Sequence, residues 1–132
     1  MAISLACPNG YTPAASVVEA ARAEAAQTGG SIEIVDNPQV AAKDADVLYT
    51  DVWVSMGMEA EKAERLRTMQ PYQVNAKLMS LAKPSAYFMH CLPAHPGEEV
   101  SAEVLASPQS IIIAQAENRL HVQKAILSWC LS

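Results

Sequence analysis

The sequence predicts an α/β domain built on a doubly wound parallel sheet of about five strands, with helices on both faces in a three-layer, Rossmann-like arrangement. Three observations carry that reading. Short apolar stretches rich in β-branched residues recur along the chain, each ending in a polar group or a Gly/Pro break. Helix-length segments with their own start and stop signals separate them, which is the alternation that parallel sheets require. The composition, 51% hydrophobic and 17% charged, fits buried strands and excludes a disordered chain.

Ile3 to Cys7 reads as the first strand, ended by Pro8-Asn9-Gly10. Thr12 and Pro13 then predict a helix start, with Thr as N-cap and Pro at the first helical position. That helix runs through Ala-rich sequence to Thr28, where Gly29-Gly30 stops it. Ser31 to Val35 alternates as a strand, and Asp36-Asn37-Pro38 turns into a short helix ending near Lys43. The strand Asp46 to Thr50 leads into the Trp53 loop. An amphipathic helix follows from about Glu59 to Thr68, where Glu61 and Arg65 are four apart on a solvated face. Asn75 caps a helix to about Ala82, and Lys83-Pro84 ends it. Ala86 to His90 and Ser110 to Ala114 are the last two strands, with a short helix near Ser101 to Ala106 between them. A helix from Glu117 to about Cys130 closes the chain.

With 132 residues and 14.1 kDa, residues 1–132 are read as one domain. The net charge of −5 and the lack of a Lys/Arg cluster argue against a nucleic-acid partner. No run reaches membrane-spanning length, and no basic leader precedes the first strand, so a soluble protein with no membrane partner is expected. Cys7, Cys91 and Cys130 are odd in number and widely spaced. They are expected to be free thiols in a reducing cytoplasm, with Cys7 and Cys130 in the core. No His or Cys pair has metal-ligand spacing, so neither a metal nor a cofactor is called for.

The chemistry concentrates where strands end, the edge at which open α/β sheets bind ligands. Ala86-Tyr87-Phe88-Met89 stops at His90-Cys91-Leu92-Pro93, and the proline forbids the strand from continuing. Asp46-Val47-Leu48-Tyr49-Thr50 runs into Asp51-Val52-Trp53-Val54-Ser55-Met56-Gly57. Ser110-Ile111-Ile112-Ile113-Ala114 runs into Gln115-Ala116-Glu117-Asn118-Arg119. Such polar exits suit a zwitterion or an anion.

Together these segments resemble the second domain of ornithine carbamoyltransferases, in which a D-x-W-x-S-M-G loop, an H-C-L-P loop and an E-N-R follow in this order. The likeness runs from about Leu5 to Lys124. It implies transfer of a carbamoyl group from carbamoyl phosphate to L-ornithine, giving L-citrulline and phosphate, and a place in arginine biosynthesis. By that resemblance Asp51 grips the substrate α-ammonium, and Ser55 and Met56 position the amino-acid end. Cys91 sits against the δ-amine with the Leu92 carbonyl beside it, His90 meets the carbamoyl group and Arg119 reaches carbamoyl phosphate. Plainer readings stand beside these. Asp51 is an ordinary loop aspartate, Ser55 and Met56 an ordinary turn, Cys91 a buried thiol and Arg119 half of a surface ion pair. For His90, a core histidine and a substrate contact are equal alternatives. Trp53 is read as packing, and His95 and His121 as solvated or packing residues.

The resemblance also implies what these residues lack. The family's first domain carries a Ser-Thr-Arg-Thr turn for carbamoyl phosphate, and its second domain opens with a strand–helix unit whose asparagine meets ornithine. Neither is present in the sequence. The chain is therefore expected to be inactive alone and to need a carbamoyl-phosphate domain. The alternative is a non-catalytic amino-acid-binding or self-associating fragment. The absent strand lies, in the family, between those matching Ile3–Cys7 and Asp46–Thr50. Either these two pair directly, giving a flavodoxin-like order 2-1-3-4-5, or a gap with open edges drives pairing to a second chain, a homo-oligomer being favoured. Pro96, where many bacterial relatives carry arginine, alters the loop after Leu92.

Overall fold

The structure, a computed structural model, describes residues 1–55 and 57–132, with Glu59 described by its backbone only. Its strands form two parallel pairs. β1 (Ala2–Ala6) pairs with β2 (Ser31–Val35) in the register Ala2↔Ser31 to Ala6↔Val35. β3 (Val47–Thr50) pairs with β4 (Tyr87–His90) in the register Val47↔Tyr87 to Thr50↔His90. The α/β class and the parallel pairing agree with the sequence reading. The direct β1–β3 pairing that the order 2-1-3-4-5 requires is not made, because the two pairs remain separate sheets.

Between β1 and β3 lies a cavity of about 360 Å³, walled by Ser4 to Cys7 on one side and Val47 to Asp51 on the other. The hydrogen-bond parity fixes what faces it. The Met1 carbonyl and the Cys7 N–H are turned to β2. In a parallel ladder alternate residues point the opposite way, so the backbone groups of Ser4 and Ala6 face away from β2. The Asp46 carbonyl accepts from Tyr87 N–H, so Val47 and Tyr49 likewise face away from β4. The cavity is thus a slot between two strand edges that carry backbone donors and acceptors.

The local signals explain most of the helices. α1 (Ala15–Thr28) ends at Gly29, whose φ of 72° is a left-handed cap open to glycine at little cost. Its neighbour Gly30 is required for another reason: a Cβ there would stand 2.6 Å from the Met1 carbonyl oxygen. α1 starts later than Thr12 and Pro13 predict. Ala14 is extended (φ −55°, ψ 137°) and occupies the N-cap position with no side-chain cap, so Thr12 and Pro13 lie ahead of the helix rather than at its N-cap and first position. α2 (Pro38–Ala42) begins at Asn37, whose Oδ1 accepts the Gln39 N–H at 2.8 Å. A 3-10 turn (Glu59–Glu61) leads into α3 (Lys62–Met69), with the expected Glu61–Arg65 pair at 2.8 Å. Asn75 caps α4 (Ala76–Met79), which stops short of Ala82 because Leu81 and Ala82 donate three residues back rather than four. Ser101 caps α5 (Ala102–Leu105).

The fifth strand needs correction. Where Ser110 to Ala114 was expected to be extended, only a bridge between Ser110 and Phe88 forms, and α6 (Ile112–Leu131) starts at once. Phe88 N–H donates to the Gln109 carbonyl and the Phe88 carbonyl accepts from Ile111 N–H, after which Gln115 N–H bonds back to Ile111 in helical fashion. The next ladder donor, His90 N–H, is taken by the Gln115 side chain at 3.0 Å. A glutamine on the helix replaces the strand, and the β preference of the isoleucines is overridden by this tertiary contact.

The core sits on the β3–β4 side. Phe88, Val100 and Val104 are fully buried there, packed with Leu48, Val74 and Met79, and Trp53 is buried as expected of a packing residue. No residue of β1, α1 or α6 is buried, and Cys130 is exposed on α6 rather than in a core. All three cysteines are free. No helix among the described residues is long and apolar enough to cross a membrane.

Two outcomes follow from this architecture. In amide hydrogen exchange, Ser4, Ala6, Val47 and Tyr49 are expected to exchange faster than Leu5 and Leu48, which bond to the neighbouring strand; equal protection on both parities would show that the slot edges are covered. Phe88→Ala should cost about 3–5 kcal/mol in urea unfolding, whereas a loss under 1 kcal/mol would place the core elsewhere.

Candidate functional site

The β3–β4 register builds the site. Thr50 lies opposite His90, so the residues leaving the two strands, Asp51 and Cys91, emerge side by side although 40 positions apart. The Cys91 thiol donates to Asp51 Oδ1 at 2.9 Å. The same oxygen accepts the Val52 N–H at 2.7 Å, which fixes the carboxylate of an otherwise exposed residue. That hydrogen bond from the thiol raises the Cys91 pKa above the usual range, with burial and the Asp51 charge adding to it and Tyr49 opposing. Burial also raises the Tyr49 hydroxyl, partly offset by the Gln115 amide that donates to it at 3.2 Å. Gln115 therefore joins β3, β4 and α6 at this edge.

His90 is 1% exposed and faces inward. Its Nδ1 accepts the Leu92 N–H at 2.8 Å, and its Nε2 lies 3.2 Å from Oε1 of Glu99, itself fully buried. Leu92 has a φ of 60°, an unusual conformation for a γ-branched residue, and the contact to His90 holds its N–H there. In this geometry the imidazole is turned away from the cleft.

Arg119 lies on the exposed face of α6 and makes no ion pair among the described residues, so the surface-pair reading has no partner to support it. It lines an open cleft with Cys91, Leu92, Pro93 and Leu120. Ser55 is exposed, and its carbonyl accepts the Met58 N–H at 3.1 Å; Met56 lies outside the described residues. The structure thus brings Asp51 to Cys91 and Arg119 to the Cys91–Leu92 turn, keeps Ser55 in the loop after Asp51 and puts His90 behind the turn. Tyr49 and Glu99 were missed by sequence reasoning. Tyr49 sat inside a strand, and Glu99 in an acidic pair that reads as solvated.

Folding also assembles donors that sequence spacing does not reveal. Asp51, His90 and Cys91 each place a ligand atom within 4.8 Å of the others, and so do His95, Glu98 and Glu99. Most are engaged by the protein: His90 Nδ1 with Leu92, Cys91 with Asp51, Glu98 with Lys62 at 3.1 Å, and Glu99 with the His95 N–H at 2.5 Å.

Residues 1–130 match the family model described as aspartate/ornithine carbamoyltransferase, Asp/Orn binding domain. The chain belongs to this family. It is 60% identical over 123 residues to the ornithine carbamoyltransferase of Chlorobaculum tepidum, covering 93% of this chain and 36% of that protein. The solved ornithine carbamoyltransferase from Pyrococcus furiosus superposes with a TM-score of 0.90 at 54% identity, over 95% of this chain and 40% of that one. The anabolic enzyme from Campylobacter jejuni gives 0.92 at 38% identity, over 97% and 42%. The chain therefore spans about two-fifths of the length of its relatives.

Asp51→Asn is expected to quicken alkylation of Cys91 by iodoacetamide near pH ~8. Asparagine keeps an oxygen acceptor but removes the negative charge beside the thiol, which lowers the thiol pKa, and each unit of fall raises the thiolate fraction about tenfold while the thiol form still dominates. A slower or unchanged rate at Cys91, read by peptide mass spectrometry, would contradict the assigned hydrogen bond.

Proposed function

We propose that the chain is the ornithine-binding part of an ornithine carbamoyltransferase, which carries out carbamoyl phosphate + L-ornithine → L-citrulline + phosphate together with a carbamoyl-phosphate-binding unit. The observation that carries this reading is the 2.9 Å contact between Asp51 and Cys91 at adjacent strand exits, with Arg119 on the neighbouring cleft. In this reading the Asp51 carboxylate takes the α-ammonium, and Ser55 and Met56 bound the amino-acid end. The Cys91 thiol, kept protonated by Asp51, and the Leu92 carbonyl orient the δ-amine.

A lysine-like amine has a reference pKa of about 10.4 and must shed a proton before it can attack the carbamoyl carbon. Arg119 meets the charge that grows on the carbamoyl phosphate as the phosphate leaves. The thiol forms no bond to carbon; it positions. His90 serves from behind, holding the Leu92 N–H.

We further infer that this domain requires one more strand, parallel to its neighbours, in the slot between β1 and β3. What supports this is the pair of edges formed by Ser4 and Ala6 and by Val47 and Tyr49 around one cavity. With that strand in place the sheet becomes five-stranded. Self-association is the second reading, favoured by the apolar side chains that α6 leaves exposed, among them Leu120, Leu127 and Trp129. Sedimentation over a concentration series distinguishes a monomer from a homo-oligomer.

The 132 residues alone are expected to form no measurable citrulline, because Arg119 leaves most of the phosphate charge uncompensated. Turnover by the pure chain, abolished by Cys91→Ala and by Asp51→Ala, would overturn this. Ornithine should bind weakly, since a missing polar partner typically costs about 1–3 kcal/mol, and Asp51→Ala should weaken it further. A sub-micromolar dissociation constant in calorimetry, or one unmoved by Asp51→Ala, would require other contacts.

A further inference from the structure

We propose that Glu99 is a positioning residue for the Cys91–Leu92 turn, acting through the tautomer of His90. His90 Nδ1 accepts the Leu92 N–H at 2.8 Å and so carries no proton. The ring proton then sits on Nε2, whose polar neighbour is Glu99 Oε1 at 3.2 Å. Both side chains are fully shielded from water. The Nε2–Oε1 approach is close but off the hydrogen-bond axis, and neither Nε2 nor Glu99 Oε2 has a hydrogen-bond partner among the described residues. Two fully buried polar groups that face each other at 3.2 Å are each other's available partner.

The opposite tautomer would set an N–H against the Leu92 N–H and a lone pair against the carboxylate, so both contacts select the same proton position. Glu99 Oε1 also accepts the His95 N–H at 2.5 Å, while its backbone carbonyl accepts from Val74 N–H. His95 Nδ1 stands 3.8 Å from Oε2, too far for a hydrogen bond. One buried carboxylate thus grips the loop at both ends, His90 and His95, and the residues between include Cys91 and Leu92. The structural part of this inference is independent of substrate; its consequence for orienting the δ-amine rests on the proposed function.

Nitrogen-15 NMR of the labelled protein tests it. In the wild type, His90 is expected to show a protonated Nε2 and an unprotonated Nδ1. Glu99→Gln keeps an acceptor oxygen and should preserve that pattern. Glu99→Met removes the acceptor, and should abolish the single tautomer, shift the Leu92 amide signal and speed Cys91 alkylation several-fold. Val104→Ala, a comparable loss of packing, should leave the His90 pattern unchanged. A wild-type His90 protonated on Nδ1, or His90 and Leu92 signals indifferent to Glu99→Met, would overturn the proposal. Should Glu99→Met fail to fold, the wild-type and Glu99→Gln spectra still decide. Titration of the wild type with ornithine keeps the two readings apart: no binding, together with a tautomer that responds to Glu99→Met, sinks the function and leaves the positioning role standing.

Discussion

The register between β3 and β4 is the constraint on which the rest of the site depends. Four parallel residue pairs set Thr50 against His90, and that alone makes Asp51 and Cys91 neighbours. A slip of one residue would send Leu48 and Phe88 to opposite faces. The register is held by the burial of Leu48 and Phe88 in the hydrophobic core formed by the described residues, and by Gln115, which ties His90 and Tyr49 to α6 at the strand ends. Packing energy gathered beneath the sheet is thus converted into a fixed distance between two polar groups at its edge.

The electrostatics of that edge favour positioning over nucleophilic attack. A thiol beside a carboxylate is the reverse of the electropositive setting that activates cysteine, and the raised Cys91 pKa follows from it. Arg119 supplies positive charge on the other side of the turn. Cys91 is thus shared between the Asp51 carboxylate, to which its thiol donates, and the cleft that Arg119 lines. Behind it, His90 and Glu99 form a dry polar pair that stiffens the turn.

The β1–β2 half stands in contrast to the β3–β4 half. No residue of β1 is buried, and Ile3, Leu5, Val47 and Tyr49 remain well exposed around the slot. Backbone donors that line an apolar slot favour an incoming strand over water, since a strand satisfies both the hydrogen bonds and the apolar area. α6 shows a similar surplus, with Ile113 at 73% and Trp129 at 79% exposure.

The sequence by itself determined whatever local chemistry enforces: the strands Ile3–Cys7, Ser31–Val35 and Ala86–His90 within a residue or two, the cap Asn75, the glycine stop after α1, and the polar character of the strand exits. These are decided by neighbours within a few positions, through turn geometry, capping and the period-two pattern. It also marked Asp51, Cys91 and Arg119 as the residues to watch. Tertiary structure decided the rest. Whether Ile111–Ile113 became strand or helix turned on a hydrogen bond between Gln115 and His90, 25 residues away. Whether His90 faced a ligand or the core turned on Leu92 and on Glu99, a carboxylate that reads in sequence as surface. Whether β1 met β3 turned on a gap that no local pattern encodes. Burial and pairing between distant segments are sums over the whole fold, and no window of sequence contains them.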